Sequence, residues 1–218
     1  MKLRRFHVGD CRFLHDDFDI TTSGVYTIYP SKYPGGVEVY CDMDTQYGGW
    51  IVFQKRFDGS VNFTRYWSEY QDGFGEMTGE FWLGNEILLH LTAENRWSLR
   101  VDLKDDQGEY HTLQAMDFGI SGNKYTLTHG GSFQFDPVPP YLNMRNFSTY
   151  DMDNDEDTNV NCAAELNGGW WLGTCNGNSD ASNGLNGEYQ QGPDDQGIMW
   201  VGWEGHRIVK CEMKLRRF

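Results

Sequence analysis

From residue 151 to residue 199 the chain is rich in Asn, Asp and Gly, and no apolar period runs for more than a few residues. A stretch of that length without regular structure is rare in a compact domain, so something must hold it. Three candidates lie inside it: a Cys162–Cys175 bridge, the Trp170-Trp171 pair and a bound cation. The 18 Lys+Arg against 32 Asp+Glu give a net charge of −14, which argues against nucleic acid and against an anionic membrane surface as partners. Aromatics make up 15% of the 218 residues, which separates the protein from disordered acidic sequences. No run approaches the ~18 apolar residues of a membrane helix, so no membrane insertion is expected.

Met1–Phe6 has the positive start of a signal peptide, but polar residues follow where an apolar run should stand. The same hexapeptide recurs as Met213–Phe218. Structural repeats have periods of ~20–50 residues and several copies, so the two copies read as a cloning feature or as chance, and the first carries no weight for the fold.

Cys11, Cys41, Cys162, Cys175 and Cys211 contain no CxxC, which removes a zinc ribbon and a thioredoxin-type pair. Their separations point to local bridges Cys11–Cys41 and Cys162–Cys175, each contributing about 3 kcal/mol by closing a short loop. Cys211 is left over, as a buried reduced thiol or as an intermolecular bridge. Sequons at Asn62-Phe63-Thr64 and Asn146-Phe147-Ser148 fit an extracellular protein.

The first half is strand-rich. Val25–Tyr29, Val37–Tyr40 and Trp50–Gln54 are short β-forming runs separated by Pro and Gly. Trp97–Lys104 alternates apolar and polar residues, the pattern of a half-buried strand. Between them, Tyr66 to Leu91 reads as two helical pieces, one with Tyr66, Trp67 and Tyr70 on a face, the other with Ile87, Leu88 and Leu91.

Asp151-Met-Asp153-Asn-Asp155-Glu-Asp157 puts five acids in seven residues. Such a block is either a solvated loop or a cation site. Its alternation lets the backbone fold round a point, and oxygen ligands without histidine suit a hard ion such as Ca²⁺. It is not an EF-hand, since counting from Asp151 puts Glu156 where Gly is required and Cys162 where Glu is required. Catalytic signals are weak: the histidines form no HExxH and there is no GxSxG. The protein is expected not to be an enzyme.

Several motifs then stand in a familiar order: Asp10-Cys11, Ser23-Gly24-Val25-Tyr26, Val39-Tyr40-Cys41-Asp42-Met43, Gly48-Gly49-Trp50, Asp58–Phe63, Gly73-Phe74-Gly75 and Gly79–Asn85. Phe147-Ser148-Thr149, Asn161-Cys162-Ala163, Trp170-Trp171, Leu185-Asn186-Gly187 and Met213-Lys214 complete the set. With them the sequence resembles the fibrinogen C-terminal (fibrinogen-related) domain, as in ficolins, tachylectins and angiopoietins, over residues 9–216, with 1–8 as an extension. The resemblance implies a secreted α+β domain. A disulfide-bridged N-terminal part would lead to a central antiparallel sheet with helices, then to a loop-rich calcium- and ligand-binding part. It also implies the same two bridges, while Cys211 stands where the family usually has no cysteine.

By the same resemblance, Ca²⁺ would be held by the side chains of Asp153 and Asp155 and the backbone carbonyls of Asp157 and Asn159. The family's lectins hold an N-acetyl group beside that loop, over a cis peptide that would here join Thr174 to Cys175. Their His is Asn176 here, the Tyr after the Trp pair is Leu172, and the Tyr-Ala pair is Asp194-Asp195. An insertion at about 177–182 enlarges the rim. Asp194, Asp195 and Glu165 would then favour a cationic ligand or coat a solvated loop, with Trp171 and Trp200 presented as aromatics.

Two readings follow. The first is a calcium-dependent lectin-type module that binds microbial or acetylated surface glycans, such as bacterial cell-wall components, in innate immunity. Several modules would act together, through an upstream region or Cys211. The second is a protein-ligand module, fibrin-like or angiopoietin-like, whose acidic pocket takes an amine or a basic peptide.

Overall fold

The runs that alternate in the sequence are the strands of one large sheet. The computed structural model describes residues 8–94, 96–131, 136–138, 142–175, 184–189, 197–200 and 207–218. Helix α1 (Cys11–Phe18) comes first, then strands β1 (Gly24–Ile28), β2 (Val37–Asp42) and β3 (Trp50–Arg56). Helices α2 (Trp67–Asp72) and α3 (Asn85–Thr92) are the two expected pieces, with a hairpin of β4 (Phe74–Gly75) and β5 (Phe81–Trp82) between them. The long strand β6 (Trp97–Asp105) is buried at alternate positions from Leu99 on, as its sequence predicts. Then come β7 (Tyr110–Ala115), β8 (Gly119–Ser121), β9 (Thr126–Thr128), β10 (Asp136–Pro137) and β11 (Asn146–Ser148). Helix α4 (Cys162–Glu165), β12 (Trp170–Leu172) and β13 (Ile208–Arg217) complete the order.

The sheet runs β1-β2-β3-β13-β6-β7-β10, with the β4–β5 hairpin attached to β3. Its pairs are antiparallel except β10 with β7. The central strand is β13, and it carries most of the second copy of the repeated hexapeptide. Met213 and Leu215 are buried opposite Val101 and Leu99, so this copy belongs to the core and is not an appendage.

Helix α1 leaves no periodic signal, because eight residues with two buried positions show no stripe. Its start is nonetheless written in Asp10, whose carboxylate accepts the Phe13 amide at 2.8 Å. The Cys11–Cys41 bridge ties it to β2. Gly49 sits at φ 73°, and a Cβ there would lie 2.6 Å from Arg12 Cα, so the β2–β3 turn needs glycine to pass the helix.

One sheet face packs on aromatic rings. Phe53 meets Trp82 and Phe118, Tyr70 meets Trp82 and Phe147, and Trp171 meets Phe147. Each ring buries on the order of 150–250 Å², so this cluster couples the loop-rich half to the sheet. Two polar β3 residues extend the coupling. Gln54 donates to the Leu185 carbonyl and the Asn186 side chain at 3.1 Å, and Arg56 to the Gly187 carbonyl at 2.9 Å. The 151–199 stretch therefore also contains α4, β12 and a bridge from Gly184 to Met199, and its local order comes from these anchors.

Two buried charges fix loops and strands. Glu80 is fully buried, and its carboxylate accepts the amides of Phe57, Asp58, Gly59 and Val61. Lys214 Nζ lies 2.8 Å from Asp42, 2.9 Å from Glu212 and 3.1 Å from Asp102. Burial would raise the Asp42 carboxyl, but the Lys214 charge and hydrogen bonds from Lys214 and Thr45 outweigh it and hold the pKa at about 2.

Cys211 is 1% exposed and unbridged. The expectation of an intermolecular bridge through it is therefore corrected: its sulfur packs against Gln54 at the centre of the sheet, where no partner thiol can reach it. Burial pushes its thiol up to about 12.

Three outcomes follow from these contacts. Glu80→Ala should lower the unfolding free energy by about 3–5 kcal/mol, since it strands several amides and a buried guanidinium. A loss under about 1 kcal/mol in denaturant titration would contradict that role. Asp42, depressed in the folded state, contributes stability above its unfolded value near pH ~4 that is lost as pH falls toward ~2. Asp42→Asn should remove roughly 1–2 kcal/mol of that pH dependence once solvent screening is allowed for, and identical slopes in both proteins would assign acid sensitivity elsewhere. Cys211 should stay unreactive toward a thiol reagent until the protein unfolds; rapid labelling of native protein would count against its burial.

Candidate functional site

The acidic run does not act as one block, because the fold gives its members different tasks. Asp151 accepts the Trp67 amide at 2.9 Å and so serves the first turn of α2. Glu156 pairs with Arg145. That leaves Asp153, Asp155 and Asp157. Asp155 accepts the amides of Asp157 and Cys162 at 2.8 and 2.9 Å, and Asp153 accepts the Asp155 amide at 3.3 Å. These short turns curl the backbone, as expected of Asp at alternate positions.

The Asp153 and Asp155 carboxylates are brought together. Burial raises the Asp155 pKa first, and the charge and hydrogen bonding of Asp153 raise it further, against the two amides that lower it. Asp153 is exposed and Asp155 half-buried. The Asn159 carbonyl enters no described backbone hydrogen bond, although its amide is bound to Asp157 at 3.1 Å. Two converging carboxylates with an uncommitted carbonyl fit a hard divalent cation. The Asp157 side chain turns the other way. It is buried, and a carboxylate oxygen lies within 4.8 Å of both sulfurs of the Cys162–Cys175 bridge, which offers no metal ligands once oxidised. For Asp157 the backbone carbonyl is thus the group left to serve a cation.

The loop is pinned to the expected pocket floor in two ways. The Glu156 amide donates to the Gly173 carbonyl at 2.9 Å, and the bridge joins Cys162 to Cys175. Thr174 and Cys175 are half-buried beside it. Their peptide is trans, as are all others among the described residues, which corrects the expected cis bond. A non-proline cis bond costs about 3–4 kcal/mol, and the trans form carries no such cost.

Trp171 and Trp200 are 1% and 4% exposed, so neither presents a ring to a ligand, contrary to expectation. Trp171 is held in the core by the Tyr125 carbonyl, which accepts its indole N–H at 2.8 Å. Glu165 is exposed in the first turn of α4, whose cap is Asn161. Asn176, Asp194, Asp195 and the 177–182 insertion lie outside the described residues. Of the sequons, Asn62 is exposed, whereas the Asn146 amide is bound by Thr126 at one end and by the Asn154 carbonyl at the other. Of the two, Asn62 is the one open to modification without loss of these hydrogen bonds.

The role of Asp151 is not visible in the sequence, since its partner Trp67 lies 84 residues away, and the Arg145–Glu156 pair leaves no local signature either. Among the described residues no helix is long and apolar enough to cross a membrane.

Comparison with known proteins gives the family. The family described as "Fibrinogen beta and gamma chains, C-terminal globular domain" matches residues 10–217. Fibrinogen C domain-containing protein 1 of Xenopus tropicalis is 38% identical over 92% of this chain and 47% of its own length. Tenascin-R of Mus musculus is 39% identical over 97% of this chain and 16% of its own. The sequence thus spans about half or less of these relatives. Among solved structures, the fibrinogen-like globe of human ANGPTL6 superposes with TM-score 0.85 at 32% identity, over 96% of this chain and 95% of that one. A lamprey fibrin D-dimer complexed with the peptide Gly-His-Arg-Pro-amide superposes with TM-score 0.81 at 32% identity, over 95% of this chain and 72% of that one. This family is one of non-enzymatic recognition domains, and two disulfides suit an oxidising, extracellular setting. The protein belongs to the family of globular C-terminal domains found in the beta and gamma chains of fibrinogen.

Proposed function

We propose that the protein is a secreted, calcium-dependent recognition module of lectin type that binds acetylated or microbial surface glycans in innate defence. The observation that carries this reading is the double attachment of the acidic loop to residues 173–175, by the Glu156–Gly173 hydrogen bond and the Cys162–Cys175 bridge. An ion held by Asp153, Asp155 and the carbonyls of Asp157 and Asn159 would neutralise the repelling carboxylates and stiffen the loop. That stiffness would pass directly to Thr174 and Cys175. No bond in the ligand is made or broken. Since single-glycan contacts are weak, useful affinity would come from several modules on one assembly.

A specific observation favours a second reading. A 32% identical fibrin structure holds a peptide, and Asp194 and Asp195 add charge where the lectins have Tyr and Ala. On that reading the pocket takes a basic peptide or an amine.

Calorimetry with CaCl₂ should show one binding event, weakened about 10–100-fold or more in Asp155→Asn. Binding to immobilised N-acetylglucosamine should require calcium and fall with chelator. Glycan binding that survives excess chelator sinks the calcium role, and displacement by Gly-His-Arg-Pro-amide but not by N-acetylated sugar selects the second reading.

A further inference from the structure

The sheet face turned away from the aromatic cluster carries a cavity of about 670 Å³, a size common for ligand sites. It is unusual for this protein because it gathers cations in a molecule of net charge −14. Four of them have partners: Arg56 pairs with Glu80, Lys55 with Glu212, Lys214 with Asp42, Asp102 and Glu212, and Arg100 with Asp102. Lys104 and Lys210 have no carboxylate partner among the described residues. They stand directly opposite each other across β6 and β13, where two like charges destabilise a sheet. Two acids that follow Lys104 in the chain are committed elsewhere. Asp105 accepts the amides of Gln107 and Glu109, and Asp106 pairs with Arg207.

The remaining wall is neither bare nor purely apolar. Tyr110 is 72% exposed, with Lys104 Nζ 4.7 Å from its ring centroid, and Thr78 adds a hydroxyl, while that of Thr112 donates to Asp102 at 2.8 Å. An exposed aromatic face with a hydroxyl beside it suits a sugar ring, and an unneutralised lysine pair suits its acidic substituents.

We propose that this groove binds an acidic saccharide, one bearing sulfate or carboxylate groups, with Lys104 and Lys210 as its anion-binding pair. The site is separate from the acidic loop and needs no calcium. A ligand here would neutralise the like-charge pair that the β6–β13 register leaves opposed.

The test is calorimetry on the whole protein in excess chelator with a sulfated, uronate-containing hexasaccharide, its desulfated counterpart, inorganic sulfate and hexaglutamate. Micromolar to millimolar binding of the sulfated sugar is expected, weakening as salt rises. The desulfated sugar should bind about tenfold more weakly or worse, as should the Lys104→Gln/Lys210→Gln double variant. That variant should melt no lower than the parent, because it removes a repulsion. Equal binding by parent and variant, no binding of the sulfated sugar at millimolar concentration, or tighter binding of sulfate alone would overturn the proposal. Preference for hexaglutamate would also overturn it and identify an acidic peptide as the ligand. Binding that needs calcium would overturn it too, by moving the sugar to the other site.

Discussion

A single buried ammonium joins three strands. Lys214 on β13 is 2% exposed and meets Asp42 of β2, Asp102 of β6 and Glu212 of its own strand. Burial opposes its charge, and the three carboxylates more than compensate, so the lysine is held firmly protonated. Such a cluster adds little net stability compared with a well-packed apolar one. What it adds is selectivity among registers. A shift of β13 by one residue would place Met213 among the carboxylates and the ammonium in the aromatic core. The correct placing of Gln54 and Arg56, and through them of residues 184–189, depends on that register.

The loop-rich half inherits its order from the sheet. Its strands are short, β11 and β12 having three residues each, and they would not hold alone. They are kept by rings from α2, β5 and β12 that share one cluster, and by side chains of β3 reaching across. The acidic loop is one step further out. It is secured by Asp151 on α2, by Glu156 on Arg145 and by a disulfide, which leaves two carboxylates to face one point. The loop thus takes its position from α2, from Arg145 and from the bridge.

Local pattern makes much of this legible. β6 shows its alternation, β1 to β3 show their β-forming runs between turn residues, and α2 and α3 show their apolar faces. The pairing of the cysteines follows from separation, and the family from ordered motifs. Long-range facts do not follow. Whether Cys211 faces solvent depends on what lies beside β13, which no local window contains. Trp171 is expected as a presented aromatic from the resemblance, yet it packs against Phe147 and Trp82, and Gly169 leaves room for Tyr70 and Phe147 beside it. Asp151, Asp153, Asp155, Glu156 and Asp157 look alike by composition; they differ because Trp67, Arg145 and the Cys162–Cys175 bridge engage different members.

The position of β13 also bears on how the domain is made. A ribosome delivers β3 and β6 early, and their open edges then face each other with nothing between them. The strand that fills the gap emerges after every other strand of the sheet. Until it clears the exit tunnel, the nascent domain is two half-sheets with exposed hydrogen-bonding edges, a form in which neighbouring copies can pair wrongly. Whatever guards those edges in the interval decides the yield of folded protein.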